Sequence, residues 1–278
     1  METIKQEQKG GKESTNIQVA NVNNFQGIGY NDVKCICRDL FEQNFITLKN
    51  EALEVVQERI EIFNNKYIDK LIDEKIENIS ELKKPDMQFV LYEAQKSYAR
   101  NGGNNLLEIL VSILAERTKE SNESLLNLNY NEALTIIPKI TSEQMDLLTL
   151  VFLLRYTCNN SVKCEETLKS YLKTYILPFS DISNIKNSTL KYMTYLGCGN
   201  VLVGDKLELI LSKTYPEVFE NKNIKQYMIN LVPEIGKVFG IWDGSELHCF
   251  DLTSIGILIG HANLKMKTGI NPNLSIWI

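Results

Sequence analysis

From Tyr30 to Lys84 the chain contains neither glycine nor proline, so a helix can run through it without meeting a breaker. Apolar residues recur at helical spacing: Leu53, Val56, Ile60, Phe63 and Tyr67, then Leu71, Ile72, Ile76 and Ile79. The spacing predicts one very long helix, or two that meet near Phe45 to Asn50. Leu53 to Tyr67 forms a coiled-coil-like seam. The stripe then steps to Leu71 in the manner of a stutter, so the helix is expected to pack on its own protein rather than in a strict two-stranded zipper. Such a seam needs an apolar partner, and it names no chemistry.

Ahead of this spine, Met1 to Ser14 is polar and reads as a disordered lead. Ile17, Val19 and Val22 then alternate loosely among Asn and Gln. That segment reads equally as a flexible tail and as a short strand, an arm able to add to the sheet edge of another chain. Gly27 and Gly29 end the arm, and Asn31 or Asp32 can cap the first helix.

Pro85 closes the spine and suits the first turn of a new helix. Helices are predicted over Met87–Arg100, Asn105–Thr118, Ser124–Ile137, Glu143–Tyr156 and Glu165–Leu177, with another from Ser188 to Gly197. Short helices follow over Lys206–Ser212, Asn223–Leu231 and Pro233–Phe239, and a last one over Thr253–Met266. Asn200–Val203 and Leu247–Asp251 are β-like, and Leu274–Ile278 reads as a docked strand or packed tail. The expected fold is mainly α: an arm over residues 1–29, a long-helix bundle over 30–137, and a helical half over 138–278 with a small winged-helix-like β element. No linker-like run separates the halves, so a shared core is expected.

With 278 residues, 44% hydrophobic and 23% charged, the composition is that of a globular protein. A net charge of −5 supplies no general footprint for phosphate backbones. The polar N-terminus lacks a signal peptide, so the six cysteines are expected to be reduced in a cytoplasmic protein. The longest apolar run, Leu147–Leu154, is too short to span a bilayer. Rich use of Asn, Lys and Ile suggests an AT-rich, bacterial coding genome.

Candidate chemistry is sparse. Asp69, Asp73 and Glu77 share one helix face, as do Glu54, Glu58 and Glu61, but both rows lie opposite the apolar stripe and read as solvated. Neither His248 nor His261 stands three residues after a Glu, as a helical di-iron site requires. Cys35 and Cys37 sit in a helix, and Cys158 with Cys164 lacks a second pair at zinc spacing. His248-Cys249 with His261 is the best local cluster, and core packing is its favoured reading. Gly197, Gly199 and Gly204 miss the phosphate-loop spacing. No cofactor is expected. The region from Leu190 through Val203 to Phe250–Gly256 has a winged-helix look, in which Lys186, Lys191 and Lys206 would touch phosphates, but Asp181, Asp205 and Asp251 stand nearby.

At these residues a resemblance enters. "GIGYNDVKCICRDLFEQNF", "MQFVLYEAQKSYARNG", "LVSILAERT", "QMDLLTLVFLLRYT" and "LTSIGILIGHANL" resemble a family of uncharacterised bacterial proteins known by locus names. The stretch from "LLTLVFLLRYT" to "FDLTSIGILI" is also similar to abortive-infection proteins of the Abi-alpha type. The resemblance implies a cytosolic accessory protein tied to phage defence or mobile elements, with no catalytic residues to transfer. The leading expectation is therefore a non-enzymatic, self-associating interaction protein, with Ile17, Val19, Val22, Leu53, Val56, Ile60, Phe63 and Tyr67 as its contact residues. The alternatives are a winged-helix nucleic-acid binder and an undetected hydrolase or metal enzyme using His248, Cys249 or His261.

Overall fold

The computed structural model describes residues 29–44, 50–120, 124–183 and 185–278. Ile17, Val19 and Val22 lie outside the described residues. The breaker-free stretch folds as two helices, α1 (Tyr30–Asn44) and α2 (Asn50–Asp73). At the start of α1 the Asp32 carboxylate accepts the Gly29 N–H at 2.9 Å, a negative charge placed at the positive end of the helix.

α2 stops well short of Lys84, which corrects the expected length of the spine. Lys75 turns left-handed with φ 51°. Its N–H donates to Ile72 O at 3.0 Å, and the Ile76 N–H donates to Leu71 O at 2.9 Å. This pair of returning bonds is a Schellman closure, and the two residues it brings together, Leu71 and Ile76, are both buried. The apolar stripe does not continue along a helix; it folds under the helix end. Ile79 and Leu82 then reach the core from a 3-10 turn, Ile79–Lys83.

α3 (Pro85–Asn101) and α4 (Asn104–Lys119) fold back onto α2, and α5 (Leu125–Ile136) packs on both. These neighbours take up the seam. Phe63 and Tyr67 are fully buried, Val56 and Ile60 nearly so, and Leu53 is half-buried. The Tyr67 hydroxyl lies 2.7 Å from the Thr118 hydroxyl of α4. The seam residues taken above as contacts for another molecule are thus covered by this chain's own helices.

The next helix, α6 (Ser142–Val151), starts at a capping box: the Gln144 N–H donates to Thr141 Oγ1 at 3.2 Å, and the Thr141 N–H donates to Gln144 Oε1 at 2.9 Å. It widens into a π-turn over Phe152–Tyr156, as α7 (Glu165–Tyr171) does over Leu172–Ile176. Then come α8 (Asn187–Tyr195), β1 (Gly199–Val201), α9 (Leu207–Thr214), α10 (Pro216–Phe219), α11 (Ile224–Leu231), α12 (Ile235–Gly244), β2 (Phe250–Leu252) and α13 (Ser254–Thr268).

α13 is the central post. It packs on α4, α5 and most closely on α6. Lys265 on α13 reaches Glu74 at 3.1 Å and Glu116 at 2.7 Å, tying the end of the chain to α2 and α4. One contiguous apolar cluster runs from Val33 to Leu264, so residues of both halves share it. The tail is packed rather than paired as a strand: Trp277 Nε1 donates to Tyr156 O at 2.9 Å, and its ring stands edge-on to Phe152 with centroids 5.0 Å apart.

Each β-like piece overlaps a strand, paired antiparallel with Gly199 opposite Leu252 and Val201 opposite Phe250, but Leu202 and Val203 lie beyond β1 and Leu247–Cys249 lies in the 3-10 turn Glu246–Cys249 before β2. The winged-helix comparison does not extend to the connection. Four helices, α9 to α12, separate the strands, where a wing is a hairpin. Among the described residues, no helix is long and apolar enough to cross a membrane.

Candidate functional site

The two edges of this small sheet are treated in opposite ways. The Thr253 N–H donates to Cys198 O at 3.2 Å and the Leu202 N–H to Cys249 O at 2.7 Å. With Asn200 opposite Asp251, residues 198, 200 and 202 bond across the ladder. Gly199 and Val201 therefore turn their N–H and C=O groups away from β2, and Leu202 and Val203 follow beyond the end of the strand.

The outer edge of β2 is sealed by side chains from the π-turn of α6. The Tyr156 hydroxyl accepts the Leu252 N–H at 2.8 Å and donates to Asp251 Oδ1 at 2.7 Å. Burial, with the Asp251 carboxylate beside it, pushes the Tyr156 phenol up to about 12, so it stays a neutral O–H donor. Next to it, the Arg155 guanidinium donates to His248 O, lies 3.8 Å from Asp251 Oδ1 and stacks 5.5 Å from the Trp242 ring. Trp242 Nε1 in turn donates to Asp205 O at 3.1 Å. Gly204 is required here, because a Cβ on it would collide with His248 O and Arg155. The segment after β1 is thereby pinned at Leu202 and at Asp205.

The β1 edge is open. Among the described residues, none bonds to the outward backbone groups of Val201. The side chains are bare as well: Val201 is 43% exposed, Leu202 56% and Val203 100%, and Tyr195, the last residue of α8 before the strand, is 83% exposed. Residues 197–204 carry no charge. Natural proteins blunt such edges with charge, proline or cover, and among the described residues none supplies these here.

The other candidates fall elsewhere. Lys186, Lys191 and Lys206 are exposed, Lys186 and Lys206 immediately before α8 and α9 and Lys191 on α8. The acidic rows Asp69, Asp73, Glu77 and Glu54, Glu58, Glu61 are exposed along the side of α2 and the turn after it. His261 is buried and lies edge-on to Phe152; its Nε2 is 2.7 Å from Pro272 O, and burial lowers its pKa. His248 Nδ1 is 2.8 Å from Ser245 O, so each imidazole serves a separate backbone carbonyl. No group of three His, Cys, Asp or Glu among the described residues is arranged to hold a metal ion. The six thiols are free, and burial pushes those of Cys37 and Cys198 up to about 12.

A cleft of about 640 Å³ opens on the far side of Tyr156, between the two π-turns. Tyr171, Tyr175 and Trp277 line it with Thr157 and Cys158, and no charged side chain faces it. Sequence reasoning missed Arg155, Tyr156 and Trp242. Arg155 and Tyr156 act on β2 and the turn before it, about ninety residues away, and Trp242 acts on Arg155 and Asp205, all beyond the reach of any local pattern.

The fold and its edge define a mainly helical protein carrying a two-stranded sheet, sealed on one side and open on the other. A family model matches residues 27–223 and 217–278. The chain therefore belongs to that family, an uncharacterised one known by a locus name. No curated protein and no solved structure matches it.

Proposed function

We propose that this protein is a non-enzymatic interaction protein that self-associates, acting as an accessory of bacterial defence or stress response in the cytoplasm. The observation that carries the reading is the uncharged, apolar and exposed run Val201–Val203 at the end of β1, whose outer edge no described residue pairs. An exposed strand edge of this kind is a template for pairing with another chain. The defence setting rests only on the resemblance read in the sequence between Leu147 and Ile259, which the family match does not carry to abortive-infection proteins, and on nothing in the site.

The spine seam does not supply the contact surface, because the chain has already buried it. The nucleic-acid alternative has the three exposed lysines in its favour, but they stand in an acidic chain and, among the described residues, no strand hairpin lies beside them. Mass by light scattering on the purified full-length protein, with the ultraviolet absorbance ratio read across the same peak, tests the reading. A defined oligomer free of nucleic acid is expected. A monomer at all concentrations overturns self-association. Bound nucleic acid lost on replacing Lys186, Lys191 and Lys206 replaces this reading with the nucleic-acid one.

A further inference from the structure

We infer that the cavity walled by α4, α5, α13 and the segment Asn271–Ser275 is a binding site for a small organic cation carrying a primary ammonium group. The inference goes beyond self-association and is independent of it.

The cavity measures about 320 Å³, at the small end of the range for ligand sites. Ser112 on α4, Tyr130 on α5 and His261 on α13 line it, and they are only 7%, 6% and 7% exposed. Neither the Ser112 nor the Tyr130 hydroxyl has a hydrogen-bond partner among the described residues, yet neither oxygen is fully sealed in the interior. Each therefore opens on the cavity that its residue lines. His261 adds an acceptor. Its Nε2 lies 2.7 Å from Pro272 O, and a carbonyl oxygen can only accept, so Nε2 carries the proton. Burial lowers the pKa of the ring, which keeps it neutral and leaves the Nδ1 lone pair without a partner among the described residues. Polar atoms this deep are rarely left unbonded, and three of them on one cavity mark where a ligand completes the bonding.

The charge around the cavity selects the ligand's sign. Glu116 and Glu120 line it, and Lys265 is the one cation among the described residues that does. Lys265 is already held, by Glu116 at 2.7 Å and by Glu74 at 3.1 Å. Glu116 also takes Lys119 at 3.0 Å, whereas Glu120 has no ion pair among the described residues. Both carboxylates bear on Tyr130: burial raises its phenol pKa most and the two negative charges raise it further, so it stays a neutral O–H. An anion brought here would meet a surplus carboxylate with no free ammonium to receive it. A protonated primary amine instead brings three N–H donors, for Glu120, the His261 Nδ1 and the Tyr130 oxygen. The rest of the wall, Ile113, Leu126, Leu258, Ala262 and Leu274, is apolar and suits a carbon body. A bare metal ion fits less well, because no three His, Cys, Asp or Glu among the described residues are arranged to hold one.

The test titrates the full chain with 2-phenylethylamine and, separately, with its uncharged counterpart 2-phenylethanol. Imidazole resonances in NMR read the site, because the chain has two histidines, His248 and His261, and His248→Gln assigns them. The amine should shift the His261 signals and leave those of His248 in place, and it should bind about tenfold or more tighter than the alcohol. Glu120→Gln should weaken the amine about tenfold or more. Tyr130→Phe should weaken it severalfold while leaving Tm unchanged or raised, because within the fold that hydroxyl has no bond to lose. Unmoved His261 signals at millimolar amine overturn the inference. Equal binding of amine and alcohol overturns the cation assignment, and full affinity in both variants places the amine elsewhere on the protein. A lower Tm in Tyr130→Phe shows that the hydroxyl is a structural bond, which also overturns the site. None of these outcomes bears on self-association.

Discussion

Three helical glycines can be replaced by alanine with three different outcomes, and the order follows from what stands beside each Cα. In every case the helix gains about 1 kcal/mol, because alanine loses less backbone freedom on folding. Gly240, on α12, has nothing within 4 Å of the added Cβ, so Gly240→Ala should stabilise the fold by about 0.5–1 kcal/mol. Gly260, on α13, faces the backbone of α6, where the new carbon would lie 2.9 Å from Leu148 O and 3.0 Å from Leu148 C. The two helices are also clasped there, by Thr149 Oγ1 donating to Gly260 O at 3.1 Å and Asn263 Nδ2 donating to Asp146 Oδ1 at 2.9 Å. A shift of a few tenths of an ångström strains these bonds. Overpacking of this kind costs about 1–3 kcal/mol, so the net change for Gly260→Ala is about 0–2 kcal/mol of destabilisation. Gly256 stands one turn earlier, and a Cβ there collides outright with Cys198 O, the carbonyl that accepts the first ladder bond of the sheet. Gly256→Ala should cost about 2 kcal/mol or more after the helix gain. At about 2 °C per kcal/mol for a chain of this size, Gly240→Ala and Gly256→Ala should differ by roughly 6 °C in Tm. Thermal melts followed by circular dichroism read the order directly. If Gly256→Ala melts at or above Gly240→Ala, α13 does not approach Cys198 as described and the argument for its packing fails.

Two further outcomes follow from the polar contacts. Tyr156→Phe leaves the buried Leu252 N–H without its 2.8 Å acceptor, so it should cost about 1–3 kcal/mol and speed hydrogen exchange at Leu252; unchanged exchange would show that the hydroxyl does not seal that edge. Stability should fall in two stages on acidification. Burial depresses His261 below its ordinary 6.5, so the unfolded chain takes up that proton first and stability declines as the pH drops through 6.5 toward the folded value. Burial pushes Glu74 up, but Lys119, Lys70 and Lys265 together hold it at about 2, so its contribution is complete above 4.5 and is lost as the pH falls from 4.5 toward 2. Urea titrations across this range should show the first decline vanish in His261→Gln; a decline unchanged in that variant would assign it to another group.

Local chemistry was sufficient for most of the helices. The Thr141 capping box, the proline at the start of α3 and the left-handed Gly269 after α13 are contacts within one turn, and so they can be read from adjacent residues. The end of α2 shows where that reasoning stops. Lys75 adopts a left-handed turn with no glycine or asparagine to announce it, because burying Ile76, Ile79 and Leu82 in the core outweighs the cost of one strained lysine. The two strands were visible as β-like pieces, yet neither their pairing nor the four helices between them could be inferred, since the ladder joins residues about fifty positions apart.

By itself the sequence determined the mainly helical character, the amphipathic spine, the neighbourhoods of both strands to within about three residues and the uncharged segment at residues 16–24. Each follows from periodicity, capping or charge along the chain, and needs no knowledge of what lies opposite. Only the tertiary structure decided which apolar surfaces are covered. The seam from Val56 to Tyr67 and the edge from Val201 to Val203 look alike as runs of apolar residues. The first is buried because α1, α3 and α4 pack onto it, whereas at the sheet Arg155 and Tyr156 seal the edge of β2 and, among the described residues, nothing covers Val201–Val203. Burial depends on contacts between distant parts of the chain, and a one-dimensional pattern carries no record of those contacts.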